Sequence, residues 1–229
     1  MVNPKFNGIR WRAPRQTYAP TIVPPPDMFD LFMDDTSGLP AIYTELAGTI
    51  INRNQRLEIA NVTSPNDSGG FSIDVNTSDG NLCNHLEIFA ALRSTVSATF
   101  DNLYLFFNND TTVANYRNSY LNANGSSANP SSAGAATPFI NFMCGATSPT
   151  NEFSMVRIFI PFFNVSSPTL VKHAVTFSTY STGSSSIGLV AVSLRWTTTA
   201  ITNIRLRPDG YSTDTFNTNS KVVVIGYRS

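Results

Sequence analysis

The chain has 229 residues and a mass of 25.0 kDa, enough for one large all-β domain with a buried core, or for a domain plus an arm. Fifteen basic and fifteen acidic side chains give zero net charge, which excludes bulk electrostatic attraction to nucleic acid. Only 13% of residues are charged while 11% are aromatic, the opposite balance to a disordered chain. Ser, Thr and Asn fill about a third of the positions, so the surface is one of hydroxyls and amides. Such surfaces suit close neighbours of protein.

Residues 1–40 read as an extended arm. Lys5, Arg10, Arg12 and Arg15 precede the first acid, Asp27, with Phe6, Trp11 and Tyr18 among them. Pro4, Pro14, Pro20 and Pro24 to Pro26 oppose a helix or a central strand. The arm then turns acidic at Asp27, Asp30, Asp34 and Asp35, and Asp27 to Met33 carries the start signals of a short helix. An arm with aromatic anchors docks on something, either a partner or its own domain or a sister subunit within a trimer; on the first reading Phe6, Arg10, Trp11, Arg12, Arg15, Tyr18, Phe29 and Phe32 are the candidate partner-binding residues. Four charges are few for nucleic acid, and none is expected as a partner.

Residues 41–229 read as one β domain. Period-two alternation marks strands at Leu57–Ile59, Phe71–Val75, Leu86–Leu92, Leu103–Phe107, Val156–Ile160, Val171–Tyr180, Leu189–Trp196, Ile201–Leu206 and Val222–Tyr227. Thr112 to Leu121 fits a short helix or a distorted edge strand. Asn122 to Thr137 and Ser181 to Ser186 are low in complexity and read as loop tips. Strands at this spacing predict an all-β, antiparallel β-sandwich of jelly-roll type. The expected core is Leu86, Ile88, Leu103, Leu105, Ile158, Ile160, Val175, Phe177, Leu194, Trp196, Ile204, Leu206 and Val224.

Chemistry is sparse. The two histidines, His85 and His173, sit in or beside strands, and no G-x-S-x-G occurs. Gly183 to Gly188 comes close to that motif but reads as a hairpin loop. No Cys/His cluster has zinc spacing, and no Gly-rich loop has phosphate-cradling spacing. Asp74 to Gly80 imitates a calcium loop, but its glycine is one residue late and His85 stands where a bidentate Glu belongs; an Asx turn explains it as well. No catalytic residue, metal or cofactor is therefore assigned, and the chain is expected not to be an enzyme. Cys83 and Cys144 lie in strand-like surroundings and are expected as buried free thiols. No apolar run approaches the roughly 18 residues of a membrane span, and the N-terminus has no apolar signal core. Folding in a reducing cytoplasm, with no membrane partner, is the expectation.

One set of segments adds a resemblance. Phe100 to Tyr116 with its Asn109-Asp110 and Asn115-Tyr116 pairs, Ile158-Phe-Ile-Pro161, Lys172, Trp196 to Ile204 and Phe216 to Gly226 stand in a particular order. In that order and spacing they resemble a β-module of tailed-bacteriophage virion proteins, over about residues 84–227. The chain departs from the module's closing strand, with Asn219-Ser220 for Gly-Ser and Ile225-Gly226 for Tyr-Gly. The resemblance implies a virion structural protein made in the host cytoplasm. It admits a capsid cement or decoration protein that binds neighbouring major capsid subunits, and a tail or head fibre that recognises a host surface glycan. A homo-oligomer, a trimer foremost, goes with either. The absence of heptads, repeats and aromatic residues in the long loop favours cement. Trp196 is expected as a core or inter-sheet anchor, and Asn109-Asp110 as a turn closed by side-chain bonds.

Overall fold

The computed structural model describes residues 5–6, 9–11, 29–33, 40–46, 49–52, 56–63, 65, 70–124, 127–131, 136–167, 169–181, 187–208 and 215–227, with side chains from residue 56 onward except those of Asn129 and Ser131. The chain divides into two compact units, Met1–Arg56 with Tyr227–Ser229, and Leu57–Gly226.

The first unit holds strands β1 (Lys5–Phe6), β2 (Ile9–Trp11), β3 (Phe29–Met33), β4 (Pro40–Leu46) and β5 (Thr49–Asn52), in that order across one sheet. The helix expected over Asp27 to Met33 is not formed; Phe29–Met33 is a strand instead. Seven residues are too few to hold a helix without tertiary support. Their backbone pairs antiparallel with β4 (Leu31 opposite Ile42) and parallel with β2 (Trp11 opposite Leu31).

The second unit is all-β. Its strands are β6 (Arg56–Val62), β7 (Phe71–Asp74), β8 (His85–Leu92), β9 (Phe100–Phe107), β10 (Arg117–Ala123), β11 (Ala128–Ser131), β12 (Phe139–Cys144), β13 (Ser154–Pro161), β14 (His173–Ser181), β15 (Ile187–Arg195), β16 (Asn203–Pro208) and β17 (Lys221–Tyr227). They form an eight-stranded sheet, β11-β10-β15-β14-β13-β8-β17-β6, and a four-stranded sheet, β12-β9-β16-β7. Every pairing within these sheets whose register is described is antiparallel. Single 3-10 turns at Gly80–Leu82 and Val113–Asn115 are the helical elements among the described residues.

The sandwich-like architecture follows from alternation. Leu86 and Ile88 of β8, Ile158 and Ile160 of β13, Leu194 of β15 and Val224 of β17 point inward from the large sheet. Leu103 and Leu105 of β9 and Ile204 and Leu206 of β16 join them in one buried cluster. Burying each such side chain is worth about 1.5–3 kcal/mol, so the period-two pattern dictates which face turns in. Cys83 and Cys144 are buried and free, as expected.

Three expectations are corrected. Val175 and Phe177 are not core: they are 40% and 50% exposed on the outer face of β14, and Ala174, Thr176 and Ser178 turn inward. The inner polar groups are satisfied by the opposite sheet: Thr176 Oγ1 donates to Ile140 O at 2.8 Å and accepts from Asn141 Nδ2 at 2.9 Å, and Ser178 Oγ donates to Phe142 O. Within the low-complexity stretch, Ala128–Ser131 is a strand paired with β10. Phe139–Cys144, for which no strand is expected, is an edge of the small sheet. The ambiguous Thr112 to Leu121 holds both alternatives, a 3-10 turn followed by a strand.

Candidate functional site

The side chains with most chemistry meet at the end of β9. Asn108 and Asn109 follow the strand with φ of 52° and 56°, a left-handed conformation that asparagine tolerates better than most residues. They reverse the chain, and the Asp110 amide closes the turn on Phe107 O at 2.9 Å. Asn108 Oδ1 accepts from the amides of Thr202 and Asn203 at 2.7 and 3.1 Å, while its Nδ2 donates to Ala200 O. The turn is thereby tied to the start of β16.

Asp110 is the hub. Its Oδ2 accepts from Trp196 Nε1 at 2.9 Å and Asn115 Nδ2 at 2.7 Å, and its Oδ1 accepts the Thr112 amide at 2.9 Å. Tyr116 Oη donates to Asp110 O and accepts the Phe107 amide. Trp196 is buried against Phe107 and Tyr116, ring centroids 5.4 and 6.4 Å away. Partial burial raises the carboxyl pKa, but the bonds from Trp196, Asn115 and Thr112 outweigh it and hold the group below its ordinary 3.8. Trp196 is in the core and packs on Phe107 of the opposite sheet, as a core or inter-sheet anchor should, and the Asn109-Asp110 turn is bonded through the Asp110 side chain.

Lys172 is a fully buried cation. Its Nζ donates to Phe162 O at 2.9 Å and to Val165 O, and Phe162 itself has a φ of 48°. Burial lowers the pKa of this ammonium. Arg93 does similar work elsewhere: its guanidinium donates to the carbonyls of Ala146, Ser148, Pro149 and Glu152, fixing the loop after β12. These cations organise backbone.

Beside the Asp110 hub lies a recess of about 340 Å³ lined by Asn115, Arg117, Val171, Arg195, Trp196 and Thr197 among others. Arg117 and Arg195 are directly opposite each other across β10 and β15, and His173 is opposite Arg195 on β14. Arg117 Nη1 is held by the carbonyls of Ala114 and Tyr116. The lining offers guanidinium and hydroxyl donors and no carboxylate, a composition suited to a carboxylate or other oxyanion from a partner. It pairs no nucleophile with a base. Sequence reasoning missed this row, because only strand register reveals that Arg117, His173 and Arg195 are neighbours.

Of the candidate partner-binding residues, Arg12, Arg15 and Tyr18 lie outside the described residues. Phe6, Arg10, Trp11, Phe29 and Phe32 lie on strands whose backbone is described; their side chains lie outside the description. In register, Arg10 is opposite Asp30. The calcium-like loop is an Asx turn, Asp74 Oδ1 accepting the Asn76 amide at 2.9 Å. Among the described residues no three His, Cys, Asp or Glu side chains converge as a metal site. No helix among them is long and apolar enough to cross a membrane.

Compared with known proteins, the chain matches no family model, no curated protein and no solved structure.

Proposed function

We propose that the chain is a non-enzymatic structural protein of a tailed-bacteriophage virion, a capsid cement or decoration protein that clamps neighbouring major capsid subunits. The observation that carries this reading is where the resembling segments spend their polar groups. Asp110, Tyr116 and Trp196 bond to one another and to backbone, and Lys172 to backbone, so the residues behind the resemblance build the scaffold and leave contact surfaces to act. The jelly-roll reading draws support from the path of the chain, which passes between the two sheets at every connection from β6 to β17 except β10 to β11, β13 to β14 and β14 to β15. Residues 1–40 act as the attachment arm, Arg10, Arg12 and Arg15 giving register and Trp11, Tyr18, Phe29 and Phe32 giving buried area. The protein works in the virion as a homo-oligomer, with three-fold order favoured.

The recess at Arg117 and Arg195 supports the alternative, a head or tail fibre that binds a host glycan, if the glycan is acidic. Counting copies per particle by quantitative mass spectrometry separates the two. Hundreds of copies are expected for cement; a few to a few dozen mean a fibre, and absence from particles ends both readings.

A further inference from the structure

Over its central rows the outer face of the large sheet is largely apolar, where an antiparallel sheet facing water would be polar, and the row of Arg117, Arg195 and His173 borders this patch on the same face. Across β10, β15, β14, β13 and β8, the register sets Leu121, Ala191, Phe177, Arg157 and Phe89 in one row. The flanking rows add Leu189 and Met155 on one side, and Val175 and Phe159 on the other. Ile187 stands at the margin, 72% exposed.

β14 makes the arrangement telling. A one-residue shift of register would bury Val175 and Phe177 and expose Thr176 and Ser178. Instead the hydroxyls are held inward by bonds to β12, and the valine and phenylalanine are turned out. Burial within the second unit does not explain them.

We infer that this face is the surface by which the protein associates with a second copy of itself. Three observations favour that occupant. The first is area. Leu121, Ile187, Leu189, Phe177, Val175, Met155, Phe159 and Phe89 together bare the equivalent of about four whole side chains, roughly 600–800 Å², close to the ~800 Å² per partner of a stable interface. The second is charge. The central Arg157 pairs with Glu87 and lies over the Phe89 ring, 5.8 Å from its centroid, so the middle of the face carries no net charge and two copies meet there without repulsion. The third is shape. A hollow of about 180 Å³ opens between Phe89, Met155, Phe177 and Leu189, and Ile187 projects from the same face. Knob and hollow on one surface allow each copy to seat its knob in the hollow of another. The inference rests on the homo-oligomeric part of the reading above and not on its capsid part.

The test uses the purified full chain without phage particles. Sedimentation velocity at about 50 µM is expected to give a whole multiple of 25.0 kDa. The double substitution Phe177→Glu, Leu189→Glu is expected to reduce it to one copy, while Leu82→Glu, at an exposed position away from the strands, leaves it intact. Far-UV circular dichroism checks that the variants stay folded. Because both native cysteines are buried, Leu189→Cys provides a second readout: a short bismaleimide should join copies covalently. A wild-type monomer, an oligomer that survives the double substitution, or no cross-linked pair would each overturn the inference. The first would leave the face to another protein, and the second would place association elsewhere, including residues 1–55. Loss of particle attachment in other experiments would bear on the capsid reading alone.

Discussion

Asp110 connects a turn, a 3-10 segment and the end of β15 through one carboxylate, and it does so as an anion. Its Oδ2 serves two donors, Trp196 Nε1 and Asn115 Nδ2, so Asp110→Asn must either present an amide N–H to them or turn it on the Thr112 amide. If the amide N–H faces them, the buried Trp196 Nε1 loses its acceptor at a cost of about 1–3 kcal/mol; if it faces the exposed Thr112 amide, the cost is smaller. The carboxyl is held below its ordinary value, so the unfolded chain takes up the proton first as pH falls. The stability it contributes is complete above the ordinary carboxylate range and is lost as pH drops through the depressed folded value. Urea unfolding of Asp110→Asn should therefore show a deficit at pH 7 that shrinks below about pH 4. An unchanged deficit at pH 3 would mean the carboxylate's charge is not what matters. Lys172 shows the converse economy: burial disfavours its charge, and the carbonyls of Phe162 and Val165 compensate.

At the scale of the element, β14 shows how neighbours overrule hydropathy. By side-chain preference alone Val175 and Phe177 belong inside. β12 offers Ile140 O, Asn141 Nδ2 and Phe142 O, which only hydroxyl-bearing residues on β14 can satisfy. An unpartnered buried polar group costs about 1–3 kcal/mol, comparable to the gain from burying one more apolar side chain. Thr176→Val should therefore lower the urea midpoint by the equivalent of about 1–2 kcal/mol, although it adds an apolar group to an interior site. Phe177→Ser, measured in dilute solution, should change stability by no more than about 0.5 kcal/mol. A reversed order would return Phe177 to the core. β3 teaches a related lesson: proline and aspartate before Phe29 are helix-start signals, yet strand partners on both sides supply hydrogen bonds that a short helix lacks.

At the scale of the whole molecule, residues 1–56 and 57–226 fall into separate units, so the proposed attachment role of the N-terminal segment can be tested by itself. Deleting residues 1–35 should abolish attachment to particles while the far-UV spectrum stays β-type; normal attachment would move the anchor to the second unit. The sequence alone determined the all-β class, most strands of the second unit, eleven of the thirteen expected core residues and the buried thiols, because period-two alternation and turn chemistry are local. It also flagged Asp110 and Trp196, though not that they bond, being 86 residues apart. Tertiary structure decided the rest. Which parity of β14 faces inward depends on the polar groups of β12, and the row of Arg117, Arg195 and His173 exists only through register. The apolar outer face was invisible for the same reason. Alternation says that two faces differ, and only the packing of one sheet on another says which of them is left uncovered.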